Sequence, residues 1–384
     1  MSKHRRAHEA NRGRNAEAPQ HLPPKGWKDV LWRTYGEISA DRVTLVAAGV
    51  TYYVLLALFP ALTAFVSLYG LFADPATVNA HLQLLSGIVP AGGMALIDEQ
   101  LTRLATSRES ALGLALLISM AIALWSASAG IKALFEAMNI AYDEAEKRNF
   151  FVLNALALAF TLGGVVAAIV MIGVVVVLPL VLGLIGFGEG FEWVVQIAGY
   201  VVLLAILFAG ISALYRYGPS RNQAKWRWVT PGAVLAVMVI MIVSLLFSWY
   251  AANFANYDRT YGSLGALIGL LTWMWISVSI VIVGAELNSE TEHQTRKDST
   301  VGAPKPMGQR NATMADTLGK STAEGGDAAD KEQDPVWQEG YQAGLERQKR
   351  QDGVRRISPG ALLLAVPATL MLGALARGRD KSER

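Results

Sequence analysis

The sequence contains a run of 26 residues, Thr260 to Ala285, that carries no charged side chain. At a rise of about 1.5 Å per residue, a helix of this length crosses the roughly 30 Å hydrocarbon core of a bilayer with some tilt. A turn rich in Tyr and Asn precedes the run and contains Asp258 and Arg259, while Glu286 and Asn288 follow it. This pattern predicts a membrane-spanning helix between two polar flanks.

Five further apolar runs repeat the pattern. The composition agrees, because 53% of the residues are hydrophobic and only 17% are charged, against roughly a quarter charged in soluble domains. We therefore predict an all-α fold, a polytopic membrane helical bundle with six spans and disordered tails. The predicted spans are residues 44–73, 110–131, 150–178, 193–215, 229–252 and 261–285.

The spans divide the chain into four predicted regions. Residues 1–26 form a disordered basic tail, residues 27–290 the six-span membrane domain, and residues 291–356 a disordered cytoplasmic linker. Residues 357–384 form an apolar segment with a basic end. Its charge-free part is long enough for a seventh span, but it contains a proline and has basic residues on both flanks, so an anchor lying on the membrane surface is the alternative.

Three segments between the spans have patterns of their own. Gly26–Asp41 places Trp27, Leu31 and Tyr35 at helical spacing, which predicts an amphipathic helix on the membrane surface, with an ordinary soluble helix as the alternative. Asp74–Glu109 predicts an amphipathic helical hairpin. The apolar residues from 179 to 188 are left over after the third span and predict an interfacial or re-entrant piece.

The basic residues between the spans predict the orientation. The N-terminal flank and the loops after spans two and four contain 16 Lys and Arg residues, whereas the opposite side contains only Arg103, Arg108 and Arg259. Because cytoplasmic loops are enriched in Lys and Arg, we expect the N-terminus and the end of span six to face the cytoplasm.

Several stretches resemble the YihY/BrkB family of inner-membrane proteins, and together they cover about residues 27–290. They are LVAAGVTYYVLLALFPAL from Leu45, ALWSASAGIKALFEAMNIAY in span two, LYRYGPS after span four, WVTPGAVLAVMVIMIVSLLFSWY in span five, and NYDRTYGSLGALIGLLTWMWISVSIVIVGAELN at the end. The resemblance implies a multi-pass protein of the bacterial inner (plasma) membrane. The family was once named ribonuclease BN, one branch is linked to virulence and serum resistance, and transport of a lipid or envelope component is its suggested role.

The residues do not support the ribonuclease name. A metal-dependent nuclease needs clustered His, Asp or Glu ligands, but the five histidines lie in tails or an outer loop, at positions 4, 8, 21, 81 and 293. The chain has no cysteine, and neither a G-x-S-x-G nor a G-x-x-x-x-G-K-[ST] motif occurs. We therefore expect no catalytic residues, no metal, no cofactor and no nucleic-acid partner, and we expect that the protein is not an enzyme.

Polar residues at the cytoplasmic ends of the spans form the candidate site. In span two, Ser128, Lys132, Glu136, Asn139 and Asp143 share one helical face. With the residues that flank spans one and six, they predict a charged vestibule on a transport path, for a polar headgroup or an ion. Its residues are Asp41, Arg42, Lys132, Glu136, Asn139, Glu286 and Asn288. Solvated helix ends that carry no function are the alternative.

A second candidate lies on the outer side. Asn253, Tyr257 and Tyr261 share a face if that segment is helical, and they predict either an outer gate or an aromatic belt at the membrane interface.

These features lead to two functional predictions. The first is a transporter or permease-like protein for a lipid or amphiphilic envelope solute. The alternative is a non-transporting membrane scaffold for envelope assembly. Membrane lipids are the expected partners, and the sequence leaves the substrate, the energy source and the oligomeric state open.

Overall fold

The computed structural model describes residues 11–72, 114–174, 192–253 and 265–322, which are mostly helical and contain no β-strand. A single 3₁₀ turn, Pro19–His21, precedes the helices. These are α1 (Pro24–Ala40), α2 (Val43–Phe72), α3 (Leu114–Ala141), α4 (Phe150–Ile172), α5 (Glu192–Tyr217), α6 (Trp226–Asn253), α7 (Gly265–Glu292) and the short α8 (Thr313–Asp316). The all-α prediction is confirmed.

Local sequence signals explain where two of the helices begin. Pro24 occupies the first turn of α1. The N–H groups of a first turn have no acceptor within the helix, so the N–H that proline lacks costs no hydrogen bond there. Asn149 caps α4, because its side-chain oxygen accepts a hydrogen bond of 2.9 Å from the backbone N–H of Val152. Between α1 and α2 the chain turns at Asp41 and Arg42, and Arg42 adopts a left-handed φ of 51°.

The long helices pack into a closed ring. Each helix from α2 to α7 contacts the next one along the chain, and α7 returns to contact α2. The tightest pairs are α2 with α3 and α6 with α7. Gly130 explains the first pair, because a Cβ atom at this position would lie 3.1 Å from Ala57 and 3.2 Å from the backbone of Val54.

Five of these helices are long and apolar enough to cross a membrane, namely residues 121–141, 150–171, 197–217, 226–250 and 267–292. A sixth candidate is the pair formed by α1 and the first part of α2, which is bent by 62°. The structure therefore supports a polytopic membrane protein with five or six candidate spans. Helix α7 continues past the end predicted for span six at residue 285, through Glu286 to Glu292.

The predicted disorder at the edges of the membrane domain is wrong for part of each tail. Residues 11–22 are packed, with Ala16 and Leu22 buried against Val30 of α1 and Leu287 of α7. Residues 291–322 are also packed against the bundle, and many of their side chains are buried. The reason is that their polar groups bind one another and the end of α7, an energy term that composition alone does not reveal. Residues 74–109, 179–188 and 323–384 lie outside the described part of the chain.

Helices α6 and α7 approach each other closely at Gly232 and Gly284. A Cβ atom at Gly232 would lie 1.9 Å from the backbone oxygen of Gly284, and one at Gly284 would lie 2.3 Å from the hydroxyl oxygen of Tyr215. That hydroxyl donates a hydrogen bond of 2.7 Å to the backbone oxygen of Val281. Only glycine allows α5, α6 and α7 to meet at this distance.

We expect Gly232→Ala to destabilise the protein by about 1–3 kcal/mol or more, because the added methyl group must push two backbones apart. Gly269→Ala in α7 is the matched control, since nothing lies within 4 Å of the position of its new Cβ atom. The measurement is the temperature at which the detergent-solubilised protein leaves its monodisperse size-exclusion peak. Equal temperatures for the two variants would contradict this packing.

Candidate functional site

The last turns of α7 and the residues after them are polar and yet buried. Eight polar side chains of this segment have no more than 1% of their surface exposed: Glu286, Asn288, Ser289, Glu290, Thr291, Glu292, Gln294 and Thr295. Residues 11–22, helix α1, residues 220–225 and residues 296–322 surround them. We call this region the polar end of the bundle. Buried polar groups require partners inside the protein, so each side chain must be followed to its contacts.

The sequence predicts that Asn288 lines a vestibule. In the structure, both the oxygen and the nitrogen of its side-chain amide form hydrogen bonds with the backbone of α6. Its side-chain oxygen accepts a hydrogen bond of 2.7 Å from the N–H of Gly232, and its nitrogen donates one of 2.9 Å to the backbone oxygen of Val229. These groups flank Pro231, which lies inside α6 and provides no N–H of its own. Asn288 therefore fixes α6 against α7.

Asn139 plays a similar part at the end of α3. Its side-chain oxygen accepts a hydrogen bond of 2.7 Å from the N–H of Ser220, and its nitrogen donates one of 3.1 Å to Glu146. Burial alone would raise the pKa of Glu146, but the hydrogen bonds from Arg148 outweigh it and lower the pKa to about 2. Asn139 thus ties α3 to the loop before α4 and to the loop after α5.

Glu292 forms a buried ion pair with Arg221. Two guanidinium nitrogens lie 2.6 and 3.2 Å from the carboxylate oxygens, and the Ser299 hydroxyl donates a further hydrogen bond of 2.6 Å. The guanidinium group also lies 4.2 Å from the ring centre of Tyr142. Burial alone would lower the pKa of Arg221, but the charge of Glu292 raises it above its usual value.

Glu290 binds Arg33 of α1 in the same way. The guanidinium group of Arg33 contacts the carboxylate and the backbone oxygen of Glu290, and it donates to the backbone oxygen of Lys320 at 2.7 Å. Arg12, which precedes α1, forms a second ion pair with Asp29 of α1, with atoms 2.6 Å apart. These contacts hold α1 and the neighbouring residues 12 and 320 on the end of α7.

Sequence reasoning missed the four charged residues of the two pairs on α7. Arg33 and Glu290 are 257 positions apart, and Arg221 and Glu292 are 71 apart. The sequence places Glu290 at the end of the membrane domain and Glu292 at the start of the linker, and it uses the two arginines only to predict the orientation. The one available signal was the dense acidic sequence directly after an apolar helix, which suits a helix end equally well.

A further contact at the polar end joins two acidic residues, Asp41 and Glu286. Their carboxyl groups are within hydrogen-bonding distance of each other. Glu286 is buried, and one of its carboxyl oxygens has no hydrogen-bond donor. Within the described ranges, no Lys, Arg or His side chain forms an ion pair with either residue.

A proton explains this contact. Asp41 and Glu286 lie in contact although Glu286 is buried, and Asp143 adds a third negative charge nearby. Two carboxyl groups in contact titrate as a pair, because two negative charges at this distance repel each other. The geometry is suited to hold one proton between Asp41 and Glu286.

The other predicted vestibule residues lie elsewhere. Arg42 is exposed at the turn between α1 and α2. Lys132 donates a hydrogen bond of 3.0 Å to Asn154 of α4, and Glu136 is exposed on α3. The structure therefore gathers Asp41, Glu286, Asn288 and Asn139 at the polar end but does not bring Arg42, Lys132 and Glu136 to the acid pair.

Of the three residues of the predicted outer gate, only Asn253 belongs to the described residues, and it is the last residue of α6. Tyr257 and Tyr261 lie outside the described residues, so the choice between a gate and an aromatic belt stays a prediction.

Comparisons with known proteins agree on a membrane family. The sequence model of the family described as virulence factor BrkB matches residues 34–308. The ribonuclease-like protein YfkH of Bacillus subtilis is 32% identical over 251 residues, which are 63% of this chain and 88% of that protein. A UPF0761 membrane protein of Xanthomonas campestris pv. campestris is 38% identical over 98 residues, which are 26% of this chain and 23% of that protein. No solved structure matches the chain.

The Arg221–Glu292 pair provides a stability test of the polar end. We expect Arg221→Met to lower the free energy of unfolding by about 3–5 kcal/mol, because Glu292 is left buried without a cation. Lys297→Met is the control, since its ion pair with Glu17 spans 3.9 Å and both side chains are more than half exposed. Its expected effect is about 0–1 kcal/mol.

The measurement is thermal unfolding in detergent, followed by tryptophan fluorescence. The double variant Arg221→Met with Glu292→Met removes both charges, so it should recover part of the loss. The interpretation is wrong if Arg221→Met unfolds at the same temperature as Lys297→Met.

Proposed function

Because the chain belongs to the virulence factor BrkB family and is an integral membrane protein, we propose that it is a proton-coupled transporter of a lipid or amphiphilic solute of the envelope. In this proposal it lies in the bacterial inner membrane with the polar end facing the cytoplasm. The excess of basic residues at that end supports the orientation.

The observation that carries the proposal is the contact between Asp41 and Glu286. Other buried acids at the polar end, Glu290 and Glu292, each bind an arginine. The acid pair instead has a buried oxygen without a donor and no cation from the described residues. An ionisable group kept in such a place at the end of a membrane helix is a candidate proton relay.

The position of the pair provides a means of coupling. Asp41 lies at the turn where α1 meets α2 at 62°, and Glu286 lies on α7, which packs against both helices. With the proton bound, the two carboxyl groups attract each other through a hydrogen bond. When the proton leaves, two negative charges face each other, and the turn moves away from α7. Proton binding thereby changes the balance between two arrangements of the bundle.

The second candidate is the non-transporting scaffold. Two of the predicted vestibule residues, Asn139 and Asn288, form hydrogen bonds through their side-chain amides that hold helices and loops together. Such mutual pairing suits a rigid assembly platform as well as the fixed part of a transporter. The two functions differ in whether solute crosses the membrane.

The ribonuclease-like name belongs to the Bacillus relative, and we do not extend it to this chain. In the part of the chain that the structure describes, no group of three or more His, Asp or Glu side chains is arranged to hold a metal ion. The acids of the polar end are instead bound to arginines or to each other. Our proposal therefore contains no catalytic step.

The test is a transport assay in proteoliposomes. The purified full-length protein is reconstituted with fluorescent phospholipids of several headgroups, and loss of fluorescence from the protected leaflet is followed with and without an imposed pH gradient. We expect transport above that of empty liposomes, accelerated by the gradient. Asp41→Asn and Glu286→Gln should each remove the response to the gradient, because each takes one acid from the pair.

Glu17→Gln is the matched control, since Glu17 is an exposed acid near the same end of the chain. It should transport like the unchanged protein. If the unchanged protein moves no lipid with or without a gradient, lipid transport is overturned and the scaffold is favoured. If lipid moves but Asp41→Asn and Glu286→Gln respond to the gradient normally, the acid pair is not the coupling site.

A further inference from the structure

The outward face of α3 carries two charged side chains within a candidate membrane span. Ile122, Trp125, Lys132 and Glu136 recur at spacings of three, seven and four, which places them on one side of the helix. Ile122 and Trp125 are 61% and 48% exposed, and Glu136 is exposed as well. This stripe faces away from the ring, and the span that contains it covers residues 121–141.

Lys132 is held in a fixed position by α4. Its ammonium group donates a hydrogen bond of 3.0 Å to the side-chain oxygen of Asn154, and it lies 5.3 Å from the ring centre of Trp125. Asn154 is buried, and its nitrogen donates a hydrogen bond of 2.7 Å to the backbone oxygen of Phe150, which fixes its orientation. An ammonium group has three donors, so donors remain for a ligand.

The contact with Asn154 also gives the depth of Lys132. Helix α4 begins at Phe150, so Asn154 lies four residues, or about 6 Å, inside that end. Because α3 runs toward this end, Glu136 lies about 6 Å nearer the end than Lys132 does. The cation is therefore the deeper of the two charges, and the anion is the shallower.

The two side chains do not neutralise each other. Although they are four residues apart, no ion pair joins them, and no other described residue makes a hydrogen bond or ion pair with Glu136. Charged groups on the outward face of a membrane helix are unfavourable unless they reach water or a partner of opposite charge. The order of the charges determines which partner fits both.

We propose that Lys132 and Glu136 bind the headgroup of a phosphatidylethanolamine molecule from the surrounding leaflet. In this lipid the phosphate is attached near the acyl chains and the ammonium group is nearer the water. The phosphate meets Lys132, the ammonium group meets Glu136, and the acyl chains follow the apolar stripe past Trp125 and Ile122. Both polar contacts are charge-assisted hydrogen bonds.

The chemistry of the pair distinguishes ethanolamine from other common headgroups. A primary ammonium group donates hydrogen bonds to a carboxylate, whereas a quaternary choline group has no N–H to donate. An aromatic face suits choline better, but Lys132 already lies over Trp125. A phosphatidylglycerol headgroup satisfies Lys132 and leaves Glu136 without a cation. This site requires no transport and so does not depend on the proposed function.

The test is binding of lipids to the purified full-length protein in detergent, measured by native mass spectrometry with equal amounts of phosphatidylethanolamine, phosphatidylcholine and phosphatidylglycerol. We expect preferential retention of phosphatidylethanolamine. Lys132→Gln should weaken its binding about tenfold, in line with the loss of a charge-assisted contact. Glu136→Gln should remove the preference for ethanolamine over choline and leave binding of the phosphate.

Reversing the charges tests their order. The double variant Lys132→Glu with Glu136→Lys has the same net charge, but it puts the anion deep and the cation shallow, so it should lose the preference for phosphatidylethanolamine. Lys147→Gln is the control, because Lys147 is a partly exposed lysine beyond the end of α3 that pairs with Glu144. It should bind lipid like the unchanged protein.

Three results would overturn the site. These are equal retention of the three lipids, normal lipid preference in the folded Lys132→Gln and Glu136→Gln variants, and normal preference in the charge-reversed variant. Glycerophosphoethanolamine, which lacks acyl chains, is a further probe. If it displaces the lipid at equal concentration, the ligand is a soluble phosphoethanolamine compound and the assignment to a membrane lipid is wrong. Size-exclusion elution shows that each variant is folded.

Discussion

The burial of a polar helix end is the constraint on which the rest of the structure depends. Helix α7 is apolar over most of its length, and then its last turns become polar without reaching water. Each buried donor and acceptor there must find a partner or destabilise the fold by a few kcal/mol. Arg33 and Arg221 supply the cations, and Asn288 lies close enough to α6 to bind its backbone. Residues 11–22 and 296–322 are packed against this end because they supply further partners.

This requirement also makes the acid pair distinctive. Where the polar end serves only to hold the chain together, opposite charges meet and amide groups bind backbone. Asp41 and Glu286 break that rule, since two acids meet where Glu286 is buried and Asp41 is half-buried. A single proton resolves the conflict and a second arrangement of the turn between α1 and α2 relieves it. The ion pairs and amide hydrogen bonds around the acid pair hold the neighbouring helices in place, so in our proposal the turn moves relative to a fixed frame.

Lys132 and Glu136 show a second use of charge in the same molecule. They lie on the outward face of α3, away from the acid pair, and their order along the membrane normal matches that of a zwitterionic headgroup. The two pairs of charges therefore have different surroundings. Protein surrounds Asp41 and Glu286, and in our proposal lipid surrounds Lys132 and Glu136. Helix α3 also carries the buried amide of Asn139, three positions after the exposed Glu136.

The sequence by itself determined the fold class and the candidate membrane helices, since a charge-free run of this length satisfies its own backbone hydrogen bonds in a bilayer by forming a helix. It also identified Asp41, Glu286, Asn139 and Asn288 as residues of interest, because polar groups at the ends of such runs are few. Only the tertiary structure decided that Glu286 faces Asp41, that Glu292 faces Arg221 and that residues 11–22 and 291–322 are packed. Those contacts join residues from distant parts of the chain, and no local period or spacing encodes which helix faces will meet.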